Sequence, residues 1–450
     1  MGSFVIDSDM FCDQYGTPAM RRVFSDEQLV QRWLDIWAAL AEAEAEVGVI
    51  PVEAAEHIKS NADYKNMDMN EIREGFLKTS HPLMPQIRCF EKACGKKAGG
   101  YIHWGATTQD IMDTAVVLQI RDAHEILKSQ VRELLHLCLS RAKENQNVVM
   151  AGRTHGQHAV PITLGYKIAI WADEFGRHLE RLNQGSERYL VGQLAGAAGT
   201  LASLGDDGLE VQKRMCRILG LHVPVTTWHV SRDGFAEFAS TVAMIAGTVG
   251  KIANEFINLE RTEICEVEES FAMGKVGSST MPHKRNPMVC ENILANVRIV
   301  QANAALSFGA MIQEHERDMS FWQTEWSYIP QICIMLDGAI GMLKVILTHM
   351  IVHEDRIRHN LYMTKGLIVS ERAMLTLGQY LGRQDAHDVI YDGSMKAFEE
   401  DRMLFDVLLE DERVTSKISG DVLRELLEPV NYTGSCAEFV NRAVEKWGRI

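Results

Sequence analysis

From Phe235 the apolar positions run Phe235, Phe238, Val242, Ile245, Val249, Ile252, Phe256 and Leu259. The spacing alternates three and four residues without a break. It predicts one long helix with a coiled-coil-like seam. Asp233 stands near its start, and Lys251 and Arg261 lie towards its end, charges that suit the helix dipole. Three further long helices are expected: from Pro161 through Tyr166 to about Leu190, from about Asp110 to Glu144, and from about Met288 to Gly309. Pro161 is placed in the first turn of its helix, where a missing N–H costs little. The chain has only ten prolines. The stretches from Pro85 to Pro161, Pro161 to Pro224, Pro224 to Pro282 and Pro330 to Pro429 contain none, which permits such lengths.

Helices this long exceed the diameter of an ordinary compact monomer. They are expected to pack side by side as an elongated bundle whose seams invite a partner chain, so a homo-oligomer is expected. Before the bundle, Asp26 is placed as the cap of a helix running from Glu27 through Trp33, Trp37 and Leu40 to Val47. After it, shorter amphipathic helices are expected, with breaks near Gly393, Gly420 and Pro429. The fold class is therefore all-α, in three segments: an N-terminal helical domain (1–105), a central long-helix bundle (106–345) and a C-terminal helical domain (346–450).

Composition narrows the function classes. At 450 residues the chain exceeds what one core usually serves. A formal net charge of −15 argues against nucleic acid or an anionic membrane as main partner. The nine cysteines form no CxxC pair. That fits a reducing cytoplasm better than a disulfide framework or a zinc site. The first ten residues lack a basic region followed by an apolar core, so no signal peptide is expected. No apolar run is expected to reach membrane-spanning length. Gly192, Gly196 and Gly199 do not make the dinucleotide fingerprint and read as a turn or a close approach.

The chemistry-bearing stretch is Gly277-Ser278-Ser279-Thr280-Met281-Pro282-His283-Lys284-Arg285-Asn286-Pro287. Two prolines forbid regular helix across it, while both flanks read as helices. A hydroxyl-rich, basic loop between rigid elements can aim groups at a ligand. Lys284 and Asn286 are two apart, so one carboxylate can meet both a point charge and an oriented amide. On composition alone a polar surface loop is the better reading. The pattern Gly-Ser-Ser-x-Met-Pro-x-Lys-x-Asn-Pro, however, resembles the signature of the fumarase/aspartase superfamily, in the form found in adenylosuccinate lyases and 3-carboxy-cis,cis-muconate cycloisomerases. The resemblance extends over nearly the whole chain. It implies a homotetramer with active sites shared between subunits, a small dicarboxylate substrate, and no metal or cofactor.

It also implies roles. Ser278 is the base that takes a proton alpha to a carboxylate, with Ser279 the rival. Lys284, Asn286 and Met281 belong to the substrate site. A serine alcohol works as a base only where N–H groups and cations stabilise its oxyanion. Gly152-Arg153-Thr154-His155-Gly156-Gln157-His158 resembles the Gly-Arg-Thr-His motif of the lyases. There His155 assists at the leaving group, and Thr154 and Gln157 contact substrate. His158 reads as a satisfied structural histidine. His81, before Pro82, matches the histidine that protonates a leaving nitrogen in adenylosuccinate lyases. Thr107, Thr108 and Gln109 match the carboxylate-holding segment, and Thr107 or Thr108 with Asp110 also reads as a helix cap. Arg232 and Arg317 are anion clamps or ion pairs with Asp233 and Asp318. Arg317 is the one carried forward as a substrate residue.

Departures from the pattern choose between members. Gln14-Tyr15-Gly16-Thr17-Pro18-Ala19-Met20 has no arginine before its proline, where adenylosuccinate lyases hold the nucleotide phosphate. Phe321-Trp322-Gln323-Thr324-Glu325-Trp326 resembles the muconate cycloisomerases instead. His155 and His81, the proton-handling pair of an eliminating lyase, are both kept. The expected activity is β-elimination with C–N cleavage from an N-substituted aspartate or other succinyl compound, releasing fumarate through an aci-carboxylate. The alternatives are the cycloisomerase, adenylosuccinate lyase, and inert structural reuse of the fold.

Overall fold

The computed structural model describes residues 4–270, 278, 280–281, 283–318 and 320–450. Helices dominate these residues. The longest span Thr108–Glu144, Leu164–Tyr189, Asp233–Leu259 and Glu325–His349. Every seam residue from Phe235 to Leu259 is buried, as the three-four spacing requires. The helix expected between Met288 and Gly309 is two: Met288–Ala304, then a short Leu306–Ala310.

The chain divides into two compact units. One comprises Met1–Val131, His178–Val249 and Leu294–Gly341; the other comprises Arg132–Arg177, Gly250–Ile293 and Met342–Ile450.

In the first unit, the Asp26–Glu46 helix is capped by Ser25, whose hydroxyl accepts the Gln28 N–H. The cap is therefore one residue earlier than expected, and Asp26 and Glu27 occupy the dipole-complementing first turn. The helix buries Val30, Trp33, Leu34, Trp37 and Leu40 and packs on the Val52–Asn61 and Gly208–Leu219 helices. Gly196 and Gly199 sit at φ of 76° and 84°, the turn geometry that suits glycine.

In the second unit, two strands replace the expected helix start. β1 (Val149–Thr154) and β2 (Gln157–Thr163) form an antiparallel hairpin, and the helix begins only at Leu164. Pro161 lies in β2, paired with Ala151. The β-branched residues Val160, Ile162 and Thr163 suit a strand, and Thr163 Oγ1 accepts the N–H of Tyr166 at the helix start. A second pair, β3 (Val267–Glu268) and β4 (Ile351–Val352), is also antiparallel. The C-terminal helices of this unit close over a core that includes Leu361, Val369, Leu377, Val389, Leu404 and Leu408. Gly393 does not break its helix, which runs Arg383–Glu399. A Cβ there would come within 2.7 Å of Leu408 Cδ2, so glycine marks a close approach instead. Gly420 opens a helix capped by Ser419, and Pro429 starts a short 3₁₀ turn.

Two helical stretches, Asp233–Leu259 and Phe321–His349, are long and apolar enough by composition to cross a membrane, contrary to expectation, but 67% of each such window is buried inside the fold.

Candidate active site

The first unit builds a polar corner around a helix start. Thr107 precedes the Thr108–Glu144 helix. Its N–H donates to Asp110 Oδ2 at 2.9 Å, while the Asp110 N–H returns to the Thr107 carbonyl. Asp110 is fully buried and also accepts the N–H groups of Ala195 and Gly196 and the ring of His229, whose Nε2 lies 2.7 Å away. One carboxylate thus fastens the Thr107 turn to the 195–196 loop. Arg317 closes the corner: its guanidinium donates to Thr107 Oγ1 and to the carbonyl of Ala197, both at 2.9 Å. Its partner is therefore not Asp318, which accepts the N–H groups of Ser320 and Phe321. Thr108 is half-buried at the helix start. Gln109 points inward, and its amide donates to Asp113 and to the His229 carbonyl.

Arg232 is also differently engaged than expected. It is buried and forked onto Asp113 and Glu325, not Asp233, and stacks near Trp228 and Phe235. That makes it a fixed support for the corner rather than an anion clamp.

His81 follows Ser80, whose left-handed φ of 53° ends the Met69–Thr79 helix. His81 Nδ1 accepts the N–H groups of Leu83 and Met84 at 3.2 and 3.1 Å. An Nδ1 that accepts two donors places the proton of the neutral ring on Nε2, the form that can donate. A second imidazole is tuned differently. Burial pushes His103 down to about 4; Asp110 opposes this and the neighbouring His81 adds to it. His103 Nδ1 accepts Trp37 Nε1–H at 3.3 Å.

The second unit holds the other candidates. His155 and Gly156 form the two-residue turn between β1 and β2, with φ of 53° and 78°. Two consecutive positive φ values make the tight primed turn that twists with its strands. Thr154, His155 and Gln157 are all exposed there. Arg153, the motif's arginine, forks onto the fully buried Glu266 at 2.6 and 2.9 Å and so anchors the hairpin. His158 is not the satisfied histidine expected. Its Nδ1 has no partner among the described residues, and burial, aided by Arg153, lowers its pKa.

Glu268 and Glu269 hold described residues that follow Ser278. Glu268 accepts Arg285 at 2.5 Å and His353 at 3.0 Å. Glu269 accepts the N–H groups of Val289 and Cys290 at the start of the Met288–Ala304 helix. Ser278 Oγ accepts the N–H of Met281 at 3.1 Å and of Thr280 at 3.4 Å. The Lys284 N–H donates to the Met281 carbonyl, which folds the basic end back. Lys284 and Met281 are exposed, and Asn286 is half-buried. Ser279 lies outside the described residues. Ser278 and His155 share no hydrogen bond among the described residues. Asp110, expected as part of a helix cap, also holds the 195–196 loop and His229; the carboxylates Glu266, Glu268 and Glu269 are the organisers that motif reading missed, and the run Glu266-Val267-Glu268-Glu269 just before the loop was the available signal.

Residues 14–301 match the family model described as Lyase, well over half of the chain. The chain belongs to the fumarase/aspartase superfamily. Residues 366–443 match the model for the adenylosuccinate lyase C-terminus. This superfamily member is 44% identical over 445 residues to N-acetyl-S-(2-succino)cysteine lyase of Dickeya dadantii (strain 3937), covering 99% of this chain and 98% of that one. It is 40% identical to adenylosuccinate lyase of Methanocaldococcus jannaschii, covering 96% and 94%. Among solved structures it is similar to 3-carboxy-cis,cis-muconate lactonizing enzyme from Pseudomonas putida, with a TM-score of 0.92, 37% identity and coverage of 98% and 99%. The chain is thus an enzyme of the lyase family with the all-α fold of that superfamily.

Proposed function

We propose that the chain eliminates fumarate from a succinylated small molecule, with a thioether to the succinyl group as the bond that breaks. The observation that carries the reaction type is the Ser278 hydroxyl receiving two backbone N–H groups. Such donors stabilise the alkoxide that a serine must become to take a proton. Ser278 removes the proton beside the carboxylate, Lys284 and Asn286 stabilise the resulting aci-carboxylate, and Met281 lines that site. His155 and His81 protonate the departing group, and Thr107, Thr108, Gln109, Thr154, Gln157 and Arg317 hold the substrate. The likeness to N-acetyl-S-(2-succino)cysteine lyase supports sulfur as the leaving atom in place of the nitrogen expected from sequence. Sulfur suits it chemically as well: a thiol ordinarily ionises near pH 8.5, so its anion departs more readily than that of an amine, and the histidines return its proton.

The same reading takes the enzyme as a homotetramer with shared sites. Met244, Ile299 and Val345 are exposed apolar positions on three of the long helices, which supports a partner chain. All nine cysteines are free, which supports the cytoplasm as compartment.

The test is incubation with N-acetyl-S-(2-succino)cysteine, adenylosuccinate and 3-carboxy-cis,cis-muconate. Fumarate and a free thiol, released in equal amounts from the first, are expected. Lactone from carboxymuconate without fumarate from any succinyl compound would replace this reading with the cycloisomerase, for which the 37% identity to the 3-carboxy-cis,cis-muconate lactonizing enzyme stands.

A further inference from the structure

Three side chains at the stem of the Ser278 loop make a donor set that elimination chemistry does not use. Cys265, Glu268 and His353 each present a ligand atom, and these atoms all lie within 4.8 Å of one another. They come from three backbone settings. Cys265 sits in a left-handed turn with φ of 49°, two residues before β3. Glu268 ends β3, and His353 directly follows the paired strand β4. The ladder between β3 and β4 therefore fixes the spacing of the carboxylate and the imidazole. His353 N–H also donates to the Glu266 carbonyl, which holds its backbone in register.

The geometry suits a small tetrahedral cation. His353 Nε2 and Glu268 Oε2 are 3.0 Å apart. With metal–ligand distances of about 2.0–2.1 Å, a tetrahedron has edges of about 3.3 Å, so this pair needs little adjustment, while the Cys265 sulfur, within 4.8 Å of both, closes in by rotation of its side chain. The other carboxylate oxygen, Oε1, is already held by Arg285. A ligating carboxylate is normally oriented by such an outer hydrogen bond. Access is adequate: the His353 side chain is 33% exposed, and Cys265 is partly exposed. Cys12 is the only other thiol not buried.

We propose that Cys265, Glu268 and His353 form a binding site for a divalent cation of the zinc class, with water as fourth ligand. Sulfur, imidazole and carboxylate together favour zinc over magnesium or calcium, which take oxygen ligands. On binding, the thiol loses its proton to solvent, and the imidazole gives its Nε2 lone pair while keeping a proton on Nδ1. The cation then replaces the single His353–Glu268 hydrogen bond, and Glu268 Oε1 still carries Arg285. The site thus ties the strand pair to the loop segment that bears Lys284 and Asn286. It stands whether or not the loop performs the elimination proposed above.

Cobalt(II) serves as the probe, titrated into the full-length protein after chelator treatment. One equivalent per chain is expected, with a near-ultraviolet thiolate-to-cobalt charge-transfer band and the intense visible bands of tetrahedral cobalt. Zinc should displace it. Cys265→Ala should remove the charge-transfer band. His353→Gln, which keeps a donor to Glu268, should weaken binding at least about tenfold. Cys12→Ala should change nothing. Variant thermal unfolding without metal establishes that each still folds; cobalt should raise the unfolding temperature of the unaltered protein but not of Cys265→Ala. A band that survives Cys265→Ala, disappears with Cys12→Ala, or never saturates near one equivalent would overturn the site.

Discussion

The Arg317 guanidinium donates to the Thr107 hydroxyl at 2.9 Å across 210 residues of chain. Two residues named by separate motifs are thereby one feature: a cation resting on the turn that opens the Thr108–Glu144 helix. Arg317 also grips the backbone of the 196–197 loop. Arg317→Ala should lower kcat/KM about 10- to 100-fold, the worth of a charge-assisted hydrogen bond of about 1.5–3 kcal/mol, with most of the loss in KM. Arg317→Lys should not restore it, because a point charge does not reproduce the fork. Steady-state kinetics of fumarate release checks both.

Glu44 is fully buried in the Asp26–Glu46 helix, and neither carboxylate oxygen has a partner among the described residues. Burial raises its pKa from 4.5 to about 9. The folded chain therefore holds a proton that the unfolded chain releases above pH 4.5. Stability from this group is complete below that value and is lost as pH rises towards 9, by at most about 1.4 kcal/mol per pH unit. Glu44→Gln keeps the shape without the ionisation. It should unfold at higher denaturant than the parent at pH 8 and show a flatter pH dependence between 5 and 8. Denaturant melts at several pH values measure this.

Gly156 holds φ of 78° in the β1–β2 turn, and a Cβ there meets nothing within 4 Å. Gly156→Ala should therefore act through backbone conformation alone, costing about 1–2 kcal/mol locally. The reading of His155 as an acid at the leaving group predicts that the turn's distortion lowers kcat more than it raises KM. An unchanged kcat would remove His155 from the chemistry.

The seam from Phe235 to Leu259 was legible because burial on one helix face leaves an unbroken three-four spacing. The Thr108–Glu144 helix was legible to within two residues, since a threonine–aspartate cap is a local device. The hairpin before Leu164 was not. Pro161 is compatible with either a first helical turn or a strand lacking one donor, and the tertiary partner that decides, Ala151, lies across the hairpin. The partners of Arg232 were out of reach for the same reason: Asp113 and Glu325 are remote in sequence, whereas Asp233 is adjacent and unused. Gly393 carried a true signal, close packing, that a single sequence cannot separate from a break. The candidate site was named by its motifs, but of the acids that hold its parts only Asp110 stood in one. Asp110 reaches chain 85 to 119 residues away, Glu266 94 to 113 and Glu268 17 to 85.

The most direct test replaces the proposed base. Ser278→Ala, assayed for fumarate release from N-acetyl-S-(2-succino)cysteine alongside circular dichroism and molecular mass of the assembly, should lose at least about a thousandfold in kcat with fold and mass unchanged. Retention of kcat within a few-fold of the parent would contradict the assignment of proton removal to Ser278.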